Sequence, residues 1–212
     1  MSNQNNVKLS QDQLNDYWKE VSYAASRKSK NGVKISISES VGILKKYFGG
    51  DSPILNINDP LPGQKGWTVV YFAAYFGSVD ECKALLKMGA NPEMFVQQGN
   101  SLLHIAAAKN YASLCNVLIR NGFDVDKVNN TGKTSLMSAC QSGSIDSGVE
   151  LLDNNASTDI IDKENKTCFT YASEYSNKTK DHTMETILLD RAMSRDIPLN
   201  QIKPSVRHTV KF

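Results

Sequence analysis

Histidine is scarce in this chain, with three among 212 residues. His182 and His208 stand at no spacing that would make them metal ligands. The four cysteines form no C-x-x-C pair, which argues against both a zinc site and a disulfide framework. Free thiols point to a reducing, cytoplasmic compartment. The N-x-S/T sequons at Asn129, Asn155, Asn165 and Asn177 then carry no meaning. Charge of one sign is also missing. A formal net charge of +2 gives no general argument for nucleic-acid binding. No apolar run approaches the length of a membrane span. The opening MSNQNN is polar and holds no apolar segment of a secretory signal. What remains is 40% apolar and 22% charged, a globular composition sized for one domain or one repeat array.

Recognisable catalytic chemistry is equally thin. "TGKTS" (Thr131–Ser135) ends like a phosphate-binding loop, but the glycine required five residues before Gly132 is Lys127. Cys82 and Cys115 have no placed histidine base, so neither is a nucleophile; at equivalent helix positions they read as small core hydrophobes. The acidic residues are dispersed and form no general acid/base pair. The expectation is therefore no catalytic residue, no cofactor and no metal.

What the sequence does have is a period. Gly66, Gly99, Gly132 and Asn165 are spaced by 33 residues. Thr68, Ser101, Thr134 and Thr167 follow at one offset, and Ala73, Ala106, Ala139 and Ala172 at another. Twelve residues after the first three alanines lie Leu85-Leu86, Leu118-Ile119 and Leu151-Leu152, and Gly89, Gly122 and Asn155 close those units. The hydroxyl residue caps a helix by accepting a backbone N–H bond. Alanine lets a neighbouring helix approach, and the Leu pair supplies the buried stripe of a second helix. Gly or Asn tolerates the left-handed backbone that ends a helix. Gly77, Asn110 and Gly143 serve that purpose between the two helices, with Ser176 a poorer substitute in the fourth unit. One such unit cannot bury its own apolar face, so the units must stack.

"GWTVVYFAAYFGSVDECKALLKMGAN" (Gly66–Asn91) and "GNSLLHIAAAKNYASLCNVLIRNGFD" (Gly99–Asp124) resemble the ankyrin repeat, with its G-x-T-P-L-H-x-A-A opening and L-L-x-x-G-A close. "GKTSLMSACQSGSIDSGVELLDNNAS" is a looser copy. In the fourth, from Asn165, Leu188-Leu189 falls 16 residues after Ala172, which a polar insertion around Asn177–Thr183 explains. No copy has the proline, and only the second has the histidine. The resemblance covers about residues 60–192. It implies an all-α helical solenoid of four units with β-hairpin-like loops. It also implies that His104, sharing a slot with Tyr71, Met137 and Thr170, braces neighbouring loops by hydrogen bonds. The Asn/Lys-rich, degenerate units resemble in style the ankyrin proteins that intracellular bacteria deliver into host cells, which would place the chain in a host cytosol. An endogenous adaptor fits the residues as well.

The chain thus divides into a helical extension (1–62), the array (63–192) and a basic tail (193–212). In the extension, Ser10 with Gln13 makes a capping box ahead of Leu14, Trp18, Val21 and Ala25 at helical spacing. Arg27–Gly32 reads as a basic loop, and Val33–Ser38 as loop despite its alternation. A second helix is expected over Glu39–Phe48. This pair either caps the array or binds a partner of its own. Asp51–Gly66, with three prolines, is a long connection. The tail carries Arg195, Lys203, Arg207 and Lys211 against Asp196, with Pro198 and Pro204 interrupting any helix. It either lies on the last repeat, stays disordered, or binds an acidic partner or membrane.

An array of this kind leaves its hairpin tips and the open side of each first helix free. The expected partner-binding residues are Trp67, Tyr75 and Phe76 in the first unit, Phe95, Gln98, Asn100 and Lys109 around the second, Lys133 in the third, and Lys166 and Tyr175 in the fourth. Three aromatics in the first unit suit a binding hot spot, unless the N-terminal helices cover Tyr75 and Phe76 as core. Met94-Phe95-Val96 is a second apolar patch, at a hairpin; its alternative is finger-to-finger packing, since Val128 and Ile161 share Phe95's slot. The expected function is a monomeric, non-enzymatic module binding a partner protein. The alternative is an effector or regulatory factor whose flanks act while the repeats dock the target.

Overall fold

A computed structural model describes residues 10–28, 34–48, 55–61, 66–92 and 99–194. Among them are ten α-helices and no strand, an all-α helical repeat fold. The chain forms two compact units, Met1–Asn91 and Pro92–Phe212.

In the first unit, α1 (Gln11–Ala25) starts at the Ser10–Gln13 capping box, each side chain bonding the other's backbone N–H. Trp18, Val21, Ala24 and Ala25 form its buried stripe. Next, α2 (Ile37–Phe48) begins two residues earlier than the periodicity suggests, because the Ser36 hydroxyl accepts the Glu39 N–H at 3.1 Å and caps it there. Between them, Lys28 and Lys34 form an isolated antiparallel bridge. The helices α3 (Val69–Tyr75) and α4 (Val79–Lys87) are the first repeat. α1 packs on α3 and α2 on α4, so the N-terminal pair stacks on the first repeat much as one repeat stacks on another.

The second unit holds three helix pairs, α5–α6 (Leu102–Ala108, Ala112–Arg120), α7–α8 (Ser135–Ser142, Ile145–Asp153) and α9–α10 (Cys168–Thr179, Thr183–Ser194). α5, α7 and α9 stack as one layer, and α6, α8 and α10 as the other. Ala106, Ala139 and Ala172 are fully buried where the first helices meet, and Leu118, Leu151 and Leu188 are fully buried on the second helices. Each such leucine contributes about 2 kcal/mol by leaving water.

The turn between the two helices of a repeat needs a left-handed residue, and Gly77, Asn110 and Gly143 supply it with φ of 68°, 59° and 66°. The fourth repeat differs. Ser176 does not end its first helix; it is buried within α9 and donates its hydroxyl to the Ala172 carbonyl at 2.9 Å. The left-handed residue is Lys180, φ 68°. The polar insertion expected at Asn177–Thr183 therefore divides: Asn177–Thr179 extend α9, Lys180, Asp181 and His182 make the turn, and Thr183 opens α10.

All four cysteines are buried. Burial raises the Cys82 thiol and pushes that of Cys115 up to about 11, so both behave as the core hydrophobes expected of them.

Candidate functional site

The expected contact residues fall on the two units separately. Phe95 and Gln98 lie outside the described residues, as does most of the 193–212 tail. In the first unit, Thr68 caps α3, and Trp67 immediately before it lies against the helix. Its ring sits 4.9 Å from Tyr71, 4.8 Å from Tyr75 and 6.2 Å from Phe72. Phe76 stacks 4.8 Å from Phe72 and 5.5 Å from Tyr75, so five aromatics form one sheet of rings along a seven-residue helix. Tyr71 is its buried floor, its phenol pushed up to about 12 by burial first and by neighbouring Tyr75 second. Trp67, Phe72 and Tyr75 are half-buried, and Phe76 is 39% exposed. α1 therefore covers the sheet only in part; Lys28, just beyond it, sets its ammonium 5.4 Å from the Phe76 ring. Phe72 is the member that repeat-slot reasoning missed, although its spacing of four from Phe76 signalled it.

In the second unit the residues one and nine positions after each repeat's opening Gly or Asn meet. Lys133 donates to Gln141 at 3.1 Å, and Lys166 pairs with Glu174 at 2.9 Å. Trp67 and Tyr75 occupy the same two slots in the first unit. Asn100, facing Ala108 in this pairing, instead accepts a bond from Asn129 at 2.8 Å. Lys133 and Lys166 both set their ammonium groups over the Tyr171 ring, 4.5 and 5.3 Å from its centre.

Beneath Tyr171 lies a residue the sequence reading did not single out. Asp162 is buried and accepts the Tyr171 O–H at 2.5 Å and the Glu164 and Lys166 N–H groups at 2.9 Å each. Burial opposes its charge, but those bonds and the field of Lys133 outweigh it and hold the carboxyl below its ordinary value. Asn129, one period earlier, does the same for Thr131 and Lys133. These two side chains shape the hairpin turns, and their shared slot was the available signal. The turns join where Lys163 donates to the Thr131 carbonyl at 3.0 Å, close over Gly132 (φ 82°), where a Cβ would sit 3.1 Å from Asp162.

His104 is buried and braces two loops, as the resemblance implied. Its Nδ1 meets the Ser101 hydroxyl at 2.8 Å and the Ser101 N–H at 3.3 Å, and its Nε2 meets the Lys133 carbonyl at 2.9 Å. A carbonyl only accepts, so the proton is on Nε2 and Nδ1 accepts from the Ser101 N–H, a neutral ring. Burial lowers its pKa, with the Lys133 bond as the lesser, opposing influence. An NMR titration of His104 should give a midpoint below 6.5; a midpoint at or above it would contradict this arrangement.

Tyr175 packs over the turn of the preceding repeat, where a Cβ on Gly143 would collide with its ring. It is half-buried, whereas Lys109 is exposed. Val128 and Ile161, which share Phe95's slot in the later repeats, are 47% and 56% exposed, while Met94, Phe95 and Val96 lie outside the described residues. Among the described residues no group of three or more His, Cys, Asp or Glu is placed to hold a metal, and no helix is long and apolar enough to cross a membrane.

The family model for ankyrin repeats (3 copies) matches residues 21–129 and 103–191, and the chain belongs to the ankyrin repeat family. The first match begins inside α1 and so takes in part of the N-terminal pair. Among similar proteins, an ankyrin repeat protein of Acanthamoeba polyphaga mimivirus is 33% identical over 49% of this chain and 10% of its own length. Neurogenic locus notch homolog protein 1 of Xenopus laevis is 30% identical over 79% of this chain and 6% of its own length. An E3 ubiquitin-protein ligase of Arabidopsis thaliana is 37% identical over 34% of this chain and 14% of its own length. The chain spans about a tenth of the length of these relatives.

Proposed function

We propose that this chain is a non-enzymatic protein-binding module, and that residues 63–192 hold the partner through the first helices and hairpin tips of the repeats. The observation that carries this reading is the half-exposed aromatic sheet of Trp67, Phe72, Tyr75 and Phe76. Rigid aromatics bury large areas on binding and lose little rotamer freedom. The fully buried cysteines and neutral, doubly bonded His104 are structural groups rather than reactive ones. Membership in a family of interaction repeats supports the same reading.

The test is affinity capture from a eukaryotic lysate with the full chain, comparing wild type with Trp67→Ala/Tyr75→Ala/Phe76→Ala. Circular dichroism must first show that the variant keeps its helices. A protein retained by wild type and lost from the variant is the expected result. Equal retention would remove this face from the interface.

A further inference from the structure

Two lysines occupy the same seat in successive repeats, and only one has its charge answered. Lys166 is 2.9 Å from Glu174 and 3.2 Å from Glu164. One period earlier those positions are Gln141 and Thr131, both neutral, while the lysine is kept as Lys133. Lys133 is nonetheless held in place, by Gln141 at 3.1 Å and the Tyr171 ring at 4.5 Å. Among the described residues no carboxylate comes within 4 Å of its ammonium. Asp162 feels its charge but gives its oxygens to Tyr171 and the backbone.

Lys133 also faces space. It lines a cleft of about 150 Å³ with Asn100, Ser138, Gln141 and Ser142. Gln141 and Ser142 also line a neighbouring cleft of about 350 Å³ that continues to Glu174 and Lys178 along α9. The two make one groove across the first helices of the second unit. We infer that this groove receives an extended acidic segment of the partner protein, with a side-chain carboxylate seated on Lys133. The inference rests on the protein-binding reading above and names the chemistry of what binds. A cation already positioned loses little freedom when it pairs. The hydroxyls and amides around it can satisfy the second carboxylate oxygen. A phosphate fits less well, since it favours an arginine fork or several cations, and a single lysine is held at this seat.

The probe is a short fluorescent peptide of glutamate, alanine and serine, titrated into the full chain by anisotropy. Its counterparts replace glutamate with glutamine, lysine or phosphoserine. The glutamate peptide should bind and the glutamine and lysine peptides should not. Lys133→Gln should weaken binding about tenfold, the loss of one charge-assisted bond. Glu164→Gln/Glu174→Gln, which leaves Lys166 unanswered, should strengthen binding, an outcome that damage to the fold would not produce. The inference is overturned if the glutamate peptide fails to bind, if the glutamine peptide binds as well, if Lys133→Gln changes nothing, or if the phosphoserine peptide binds more tightly. A neutral peptide bound in the groove would overturn the acidic assignment and leave the protein-binding reading standing. Loss of all capture from lysate would remove that reading itself.

Discussion

Arg27→Ala should destabilise the first unit by about 3 kcal/mol, whereas Arg27→Met/Glu81→Leu, which removes both charges together, should leave it as stable as wild type or more so. Glu81 lies on α4 and is fully buried. Its Oε1 accepts the Ser40 hydroxyl at 2.5 Å and stands 3.6 Å from Arg27 Nε, while Oε2 and Arg27 Nε have no hydrogen-bond partner. The carboxylate thus depends on a neighbouring charge that holds it loosely. Removing Arg27 leaves a buried anion with one hydroxyl. Replacing both residues removes the cost of burying the charges, and leucine belongs in the Glu81 slot, since Leu114 fills it in the next repeat with no exposure. The only two tryptophans, Trp18 and Trp67, are in this unit. Fluorescence-monitored urea denaturation therefore reads the first unit directly. Equal losses from the single and the double variant would mean that the ion pair is a net stabiliser.

Asp162→Ala should cost the second unit about 3 kcal/mol, because it strands the Tyr171 hydroxyl and two N–H groups at once. Asp162→Asn should cost less, since Asn129 already shapes the equivalent turn with an amide oxygen. The two variants also differ from wild type in acid. The Asp162 carboxyl is lowered from its ordinary 3.8, so the fold favours its charged form. Its contribution is complete above about pH 4 and is lost as pH falls through the lower folded value. Wild type should therefore lose stability over that acid window, and Asp162→Asn should lose less of it. Denaturation followed by circular dichroism across that range checks both statements; identical acid slopes would assign the loss to other carboxylates.

The repeat was legible because its signals are local. Thr68 and Thr134 cap a helix whose start follows within the same few residues, and each accepts the expected N–H. Gly77, Asn110 and Gly143 turn the chain by their own backbone conformation. Glu81 was not legible. A glutamate in the first turn of an amphipathic helix reads as solvated, and its burial comes from α2, which supplies Ser40, and from Arg27 beyond α1. Ser176 misled for a related reason. Its position in the period matched a turn, but the residues after it continue the helix, and its hydroxyl is satisfied within α9. Of the contact positions, the pairing of Lys133 with Gln141 and Lys166 with Glu174 follows from slot arithmetic once the helix is drawn. The half-burial of Tyr175 over Gly143 depends on two repeats meeting and could not be read from either alone.

The longer α9 bears on how such a chain changes length over generations. Four residues separate its Leu188 spacing from that of the other repeats. At 3.6 residues per turn they carry the chain about once around the axis and advance it by roughly 6 Å. The polypeptide leaves α9 pointing nearly as it did before the insertion, and α10 still sets Met184, Leu188 and Ala192 inward. Two inserted residues would instead rotate the exit by about half a turn and aim those same side chains at water. Insertions into these helices are thus filtered by phase, with whole turns surviving and half turns eliminated. Length variation among related arrays should accordingly cluster near multiples of a turn.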